Sequence, residues 1–127
     1  ETKISRQHGL NTEMIDDGQE KPLSKDLQLV LFRNVRELLT NVLKHAHASH
    51  VIVRTARVGG TLKVSVEDDG DGMDIGAAAN KFHRSEGFGL LSIEERMVNL
   101  GGSLEIVSSP GEGCTAILTA PLAIGPN

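Results

Sequence analysis

Hydrophobic positions along the chain change period several times, and glycines mark most of the changes. Lys3 to Ile15 mixes apolar and polar residues without helical period and reads as one extended segment bent near Gly9. Asp16-Asp17-Gly18 ends it, and a polar loop with Pro22 follows. Ser24 then reads as an N-cap, and from Lys25 to His45 the period becomes helical. With Glu37 at zero, Leu38, Leu31, Val42, Val35, Ala46 and Leu39 fall between about 100° and 200° and form one apolar face. Glu37, Asn41 and His45 fall at about 0°, 40° and 80°, with Lys44 at about 340°, so four polar side chains border that face as a stripe.

Val51 to Val58 and Thr61 to Glu67 are valine-rich strands, and Gly59-Gly60 between them signals a hairpin. The second strand runs into Asp68-Asp69-Gly70-Asp71-Gly72. Met73 to Glu86 has no sustained period and fits either a short helix or a loop. Gly87-Phe88-Gly89 opens a helix from Leu90 to about Leu100, stopped by Gly101-Gly102. Ser103 to Ser108 and Cys114 to Pro121 make a second hairpin across Pro110-Gly111-Glu112-Gly113, and residues 123–127 form a frayed tail. The order is strand, helix, two strands, helix, two strands. It predicts a single α/β (α+β) two-layer sandwich, with a mixed sheet packed on about three helices.

Composition narrows the class without naming the chemistry. The chain has 127 residues, 39% hydrophobic and 24% charged, which suits one soluble globular domain. A net charge of −4, no Trp, no Tyr and only three Phe argue against a nucleic-acid partner. A single cysteine, Cys114, excludes an internal disulfide and a multi-cysteine zinc site, and fits a reducing compartment. No apolar run approaches the roughly 18 residues of a membrane-spanning helix. The chain begins at Glu1 without a Met or a signal peptide, as expected of a piece of a longer protein.

Three segments can carry chemistry. The helix stripe Glu37-x-x-x-Asn41-x-x-Lys44-His45-Ala46 should recur by chance in roughly one such sequence per ten thousand. Asp68-x-Gly70-x-Gly72 and Gly87-x-Gly89-Leu90 are weak alone, and the ordered combination carries the weight. Taken singly, Glu37 and Lys44 read as a solvated helix face, Asp69 and Asp71 as acidic turn residues, His47 and His50 as surface residues, and His8 as a strand histidine. Read together, the stripe can hold a metal-bridged polyphosphate. Asn41 offers a carbonyl oxygen to Mg²⁺, Lys44 and His45 meet phosphate charge, and Glu37 faces the γ-phosphoryl group as a base or polarising group. Asp68 at a strand end can accept a hydrogen bond from an exocyclic amine, and Gly70 and Gly72 let a base approach the backbone. Gly87 and Gly89 at a helix start present N–H groups to phosphates.

In this order the residues resemble the nucleotide-binding domain shared by sensor histidine kinases, DNA gyrase, Hsp90 and MutL. Glu37 to Ala46 match its N box, Asp68 to Gly72 its G1 box and Gly87 to Leu90 its G2 box. Lys44-His45-Ala46, Gly101-Gly102-Ser103-Leu104 and Ser109 to Gly113 through Pro121-Leu122 resemble bacterial two-component histidine kinases. The run Gly89 to Arg96 resembles their nitrate/nitrite-sensor-like branch. The likeness covers about Leu23 to Leu122.

That resemblance implies a Bergerat-type fold binding ATP and Mg²⁺ under a lid, here Met73 to Glu86. It implies Glu37 as the catalytic residue and Asn41 as the metal ligand. Asn41, Lys44, His45, Asp68, Gly70, Gly72, Met73, Gly87, Phe88, Gly89, Leu90 and Thr115 are the implied ATP-binding residues. Cys114 stands where many relatives have a Thr that helps hold the adenine-binding aspartate. Relatives keep the phosphoacceptor histidine on a separate dimerising hairpin, so the implied partners are that domain of the same kinase and a response regulator. The isolated domain is expected to be a monomer that does not label itself, and the parent a cytoplasmic or membrane-anchored homodimer. Two other readings stay open: an anti-sigma-factor-type serine kinase, and a non-catalytic module that binds ATP or a protein.

Overall fold

Ser24 stops the extended chain and starts the first helix: its side chain accepts the Leu27 N–H at 3.1 Å, as an N-cap should. The computed structural model describes residues 2–7, 10–43, 47–71, 90–109 and 111–122. They form β1 (Thr2–Gln7), β2 (Leu10–Asp16), α1 (Lys25–Asn41), β3 (His50–Val58), β4 (Thr61–Asp68), α2 (Leu90–Asn99), β5 (Ser103–Ser108) and β6 (Cys114–Pro121). The six strands make one mixed sheet in the order β1-β2-β3-β4-β6-β5, and among the described residues two helices cover one face. The expected sandwich is therefore present.

Among the described strands only β2 and β3 run parallel, and the chain between them supplies α1 as the crossover that such a pair requires. Gly59-Gly60 makes the two-residue turn between β3 and β4, where Val58 pairs with Thr61. The first segment departs from expectation. In place of one bent strand, β1 and β2 form a hairpin in which Gln7 pairs with Leu10. The two residues between them, His8-Gly9, are a weaker turn signal than Asn-Gly or Gly-Gly, and both lie outside the described residues.

The core lies between the sheet and the helices. Val51 and Val53 of β3, Leu62, Val64 and Val66 of β4, and Ala116, Leu118 and Ala120 of β6 alternate onto the covered face. Leu27, Leu31 and Leu38 of α1 and Leu90, Ile93 and Met97 of α2 meet them. Of the apolar face read for the first helix, Leu31, Leu38 and Val42 are buried and Val35 and Leu39 pack at its margin, while Ala46 lies outside the described residues. The helix α2 ends as its glycines predict. Gly101 sits at φ +79, the Gly102 N–H donates to Met97 O at 2.8 Å and the Gly101 N–H to Val98 O at 3.0 Å.

Candidate nucleotide site

β4 carries Asp68 at its last position, on the face that the helices cover. Alternation puts it in line with Leu62, Val64 and Val66, and only 8% of it is exposed. A carboxylate there needs donors. Its Oδ1 accepts the Gly70 N–H at 2.8 Å, and the Cys114 N–H donates to it from β6. Burial nevertheless dominates and raises the pKa of Asp68 above the ordinary carboxylate value, with the Asp69 and Glu67 charges adding to the rise.

Around Asp68 the backbone comes very close. Gly113 lies at φ +76, and a Cβ built there would overlap the Asp68 carbonyl oxygen. Only glycine lets the turn before β6 pass the end of β4. The pairing then sets Asp68, Cys114 and Ser108 in one row across three strands. The Ser108 hydroxyl donates to Gly113 O at 2.7 Å, and burial pushes the Cys114 thiol pKa upward.

The same register moves one expected residue away from the site. Thr115 pairs with Glu67 and Val107, one step along each strand, and so lies on the opposite sheet face from Asp68. Cys114, not Thr115, is the β6 side chain beside the aspartate.

Two further acidic residues tie the loop after β4 to the start of β3. Asp69 Oδ1 accepts the Ser49 N–H at 2.8 Å and the His50 N–H at 3.0 Å, while its Oδ2 lies 3.3 Å from His50 Nδ1. These bonds, the His50 N–H foremost, lower the pKa of Asp69. Asp71 Oδ2 meets His47 Nδ1 at 2.6 Å, with His47 at φ 54. His47 and His50 are exposed, as expected, but they serve to fasten this loop rather than standing apart.

On α1 the polar stripe turns toward α2. Arg96 Nη1 donates to Glu37 Oε2 at 3.1 Å and to Asn34 Oδ1 at 3.0 Å, and Arg33 Nε lies 3.5 Å from Glu37 Oε1. Asn34 is completely buried, and its Nδ2 reaches Met97 Sδ at 3.2 Å. Neither Asn34 nor Arg96 stood out in the sequence as a site residue. Asn34 falls at about 60° on the same wheel, within the stripe and about two turns before Asn41, and that position is the available signal. Nothing local announces that Arg96, 59 residues beyond Glu37, is its partner.

Asn41 is the last residue of α1, half-buried. Leu90 begins α2 with its side chain in the core, so only its backbone remains for a ligand. Gly70 is buried beside Asp68. Lys44, His45, Gly72, Met73, Gly87, Phe88 and Gly89, with the expected lid and tail, lie outside the described residues. Among the described residues no group of three or more His, Cys, Asp or Glu is placed to hold a metal. Nor is any described helix long and apolar enough to cross a membrane.

Residues 26–124 match the family model of histidine kinase-, DNA gyrase B- and HSP90-like ATPases. An uncharacterized sensor-like histidine kinase of Chloroflexus aurantiacus is 39% identical over 101 residues, 79% of this chain and 17% of that protein. The signal transduction histidine-protein kinase/phosphatase DegS of Brevibacillus brevis is 35% identical over 106 residues, 83% of this chain and 26% of that protein. The chain thus spans about a quarter or less of the length of these relatives. The blue-light activated histidine kinase of Erythrobacter litoralis EL346 shares the fold with a TM-score of 0.75, over 92% of this chain and 36% of that one, at 23% identity. Fold, motif order and family match agree: this chain belongs to the histidine kinase-, DNA gyrase B- and HSP90-like ATPases, as the ATPase domain of the sensor histidine kinase type.

Proposed function

We propose that this domain binds Mg-ATP and supports transfer of its γ-phosphoryl group to a histidine on a separate dimerisation domain of the parent kinase, for relay to a response-regulator aspartate. The observation that carries the nucleotide assignment is Asp68. A carboxylate buried at a strand end, with the backbone of Gly70 and Gly113 packed against it, suits the edge of a flat base better than a solvated ion. Two backbone N–H groups occupy part of the roughly four lone-pair sites of a carboxylate. An exocyclic amine, which adenine has and hypoxanthine lacks, can take another.

The donor set also fits the metal. Asn41 and Glu37 supply oxygen atoms one helical turn apart on α1, as a hard cation prefers. Bound Mg²⁺ would neutralise charge on the phosphate oxygens. Asn41 would hold the metal and Glu37 would face the γ-phosphoryl group and its acceptor. Lys44, His45 and the N–H groups of Gly87 and Gly89 would contact phosphates, with Gly72, Met73, Phe88 and the backbone of Leu90 completing the nucleotide's surroundings. Cys114, at the position where many relatives have a Thr, would stand beside the base-binding Asp68, with Thr115 on the other sheet face.

Calorimetric titration of Asp68→Asn tests the reading. Loss of a charged acceptor costs about 1.5–3 kcal/mol, so ATP affinity should fall about tenfold to over a hundredfold. Unchanged affinity, or equal wild-type affinity for ATP and ITP, refutes it. In the full-length kinase the labelled residue should be acid-labile phosphohistidine. Acid-stable phosphoserine on a partner protein would instead establish the serine-kinase alternative.

A further inference from the structure

Two neighbouring residues of α2 hold one buried amide of α1. Arg96 donates to Asn34 Oδ1 at 3.0 Å, and Met97 Sδ receives Asn34 Nδ2 at 3.2 Å. A fully buried amide is costly unless both its ends are used, and here α2 uses both. The same Arg96 Nη1 reaches Glu37 Oε2 at 3.1 Å, from a side chain only 22% exposed.

Glu37 therefore has unequal oxygens. Oε2 is bound to a guanidinium that packing and Asn34 hold in place, whereas Oε1 has the Nε of the exposed Arg33 at 3.5 Å. The arrangement fixes the carboxylate rotamer through one oxygen and leaves the other in a looser contact. Such orientation matters where a carboxylate must meet a reacting group, because small displacements there cost large factors in rate.

We propose that Arg96 is a positioning residue for Glu37, with Asn34 as the buried brace that orients the guanidinium. The proposal rests on the reading of Glu37 as the group facing the γ-phosphoryl. It makes α2, which follows the second glycine motif directly, the element that aims the carboxylate on α1.

The test uses the full-length kinase, with ATP affinity measured by calorimetry and kcat and KM for autophosphorylation measured separately. Arg96→Met keeps the apolar stem and deletes the charge. It should lower kcat at least tenfold while leaving ATP affinity within twofold, and Arg96→Lys should regain most of that loss. On a Glu37→Gln background, Arg96→Met should lower kcat by less than a further twofold. If Arg96→Met does not fold, Arg96→Gln takes its place in the same cycle. An unchanged kcat in the folded Arg96 variant while Glu37→Gln is slow overturns the positioning role alone. So does a full additional loss on the Glu37→Gln background, or a fall in ATP affinity in place of kcat. An unchanged kcat in Glu37→Gln overturns the catalytic reading of Glu37, and the positioning role with it.

Discussion

Replacing Gly113 by alanine should damage the proposed nucleotide site at Asp68 through the backbone alone. Two costs add at this position. Gly113 has φ +76, and holding an L-residue in left-handed backbone costs about 1–2 kcal/mol. The new methyl would also overlap the Asp68 carbonyl oxygen, with Asp68 C at 3.3 Å and Asp69 Cα at 3.4 Å behind it. In a close-packed interior the two backbones must part by about 1 Å, and such overpacking costs about 1–3 kcal/mol more. Gly111 supplies the control. It lies at φ +80 in the same turn, but a Cβ there meets nothing within 4 Å. Gly111→Ala should therefore cost about 1–2 kcal/mol and Gly113→Ala about 2–5 kcal/mol. In thermal unfolding the second should melt several degrees below the first. ATP titration should separate them further, because only Gly113→Ala displaces Asp68. Equal melting temperatures and equal ATP affinities for the two variants would refute the claim that this glycine is required by the Asp68 backbone.

Three other outcomes follow from the charged groups. Burial raises the pKa of Asp68, and the proposed amine contact would be stronger to the ionised carboxylate, so ATP affinity should fall as pH drops through that raised value; Asp68→Asn should lack this dependence in pH-stepped calorimetry. Asp16, held well below the ordinary range, and Asp17, lowered to about 2, both owe the shift first to hydrogen bonds from Lys21. Carboxylates with depressed folded pKa stabilise the fold above their unfolded value of 3.8 and lose that contribution as pH falls through the folded values. Urea melts of Lys21→Ala should accordingly show a shallower loss of stability below pH 4 than the parent chain. Asp69→Ala should cost about 1–2 kcal/mol and weaken ATP severalfold by releasing the loop after β4, whereas Asp69→Asn, which keeps the oxygen for Ser49 and His50, should retain most of both. Equal effects of the two Asp69 substitutions would show that its charge, not its backbone bonds, is what counts.

Local chemistry made most of the fold readable. Ser24, Gly59-Gly60 and Gly101-Gly102 each fix a boundary within a few residues, and the structure places those boundaries as read. The β1–β2 hairpin was hidden because its two-residue connection lacks a strong turn signal. Asp68 could be found from sequence because a strand ending in Asp-x-Gly-x-Gly is a local pattern. Its neighbour on β6 depends on register: Cys114 pairs with Asp68, and strand alternation puts Thr115, one residue on, on the other face. Asn34 and Arg96 illustrate the remaining limit. An asparagine in a helix is marked as buried only by what packs on it, and here that is a helix some sixty residues away.

The strand order has a consequence for synthesis. β6 is the last of the described strands in sequence, yet it lies between β4 and β5 rather than at an edge. Until it arrives, β5 has no partner strand in the sheet, and Asp68 has neither the Cys114 N–H nor the Gly113 backbone beside it. Contacts of such long sequence separation form late, after the cost of closing the intervening chain has been met. A nascent chain on the ribosome therefore cannot present the finished aspartate pocket before β6 has emerged. A truncation after β5 removes the middle of the sheet rather than its margin, and with it the backbone that closes around Asp68.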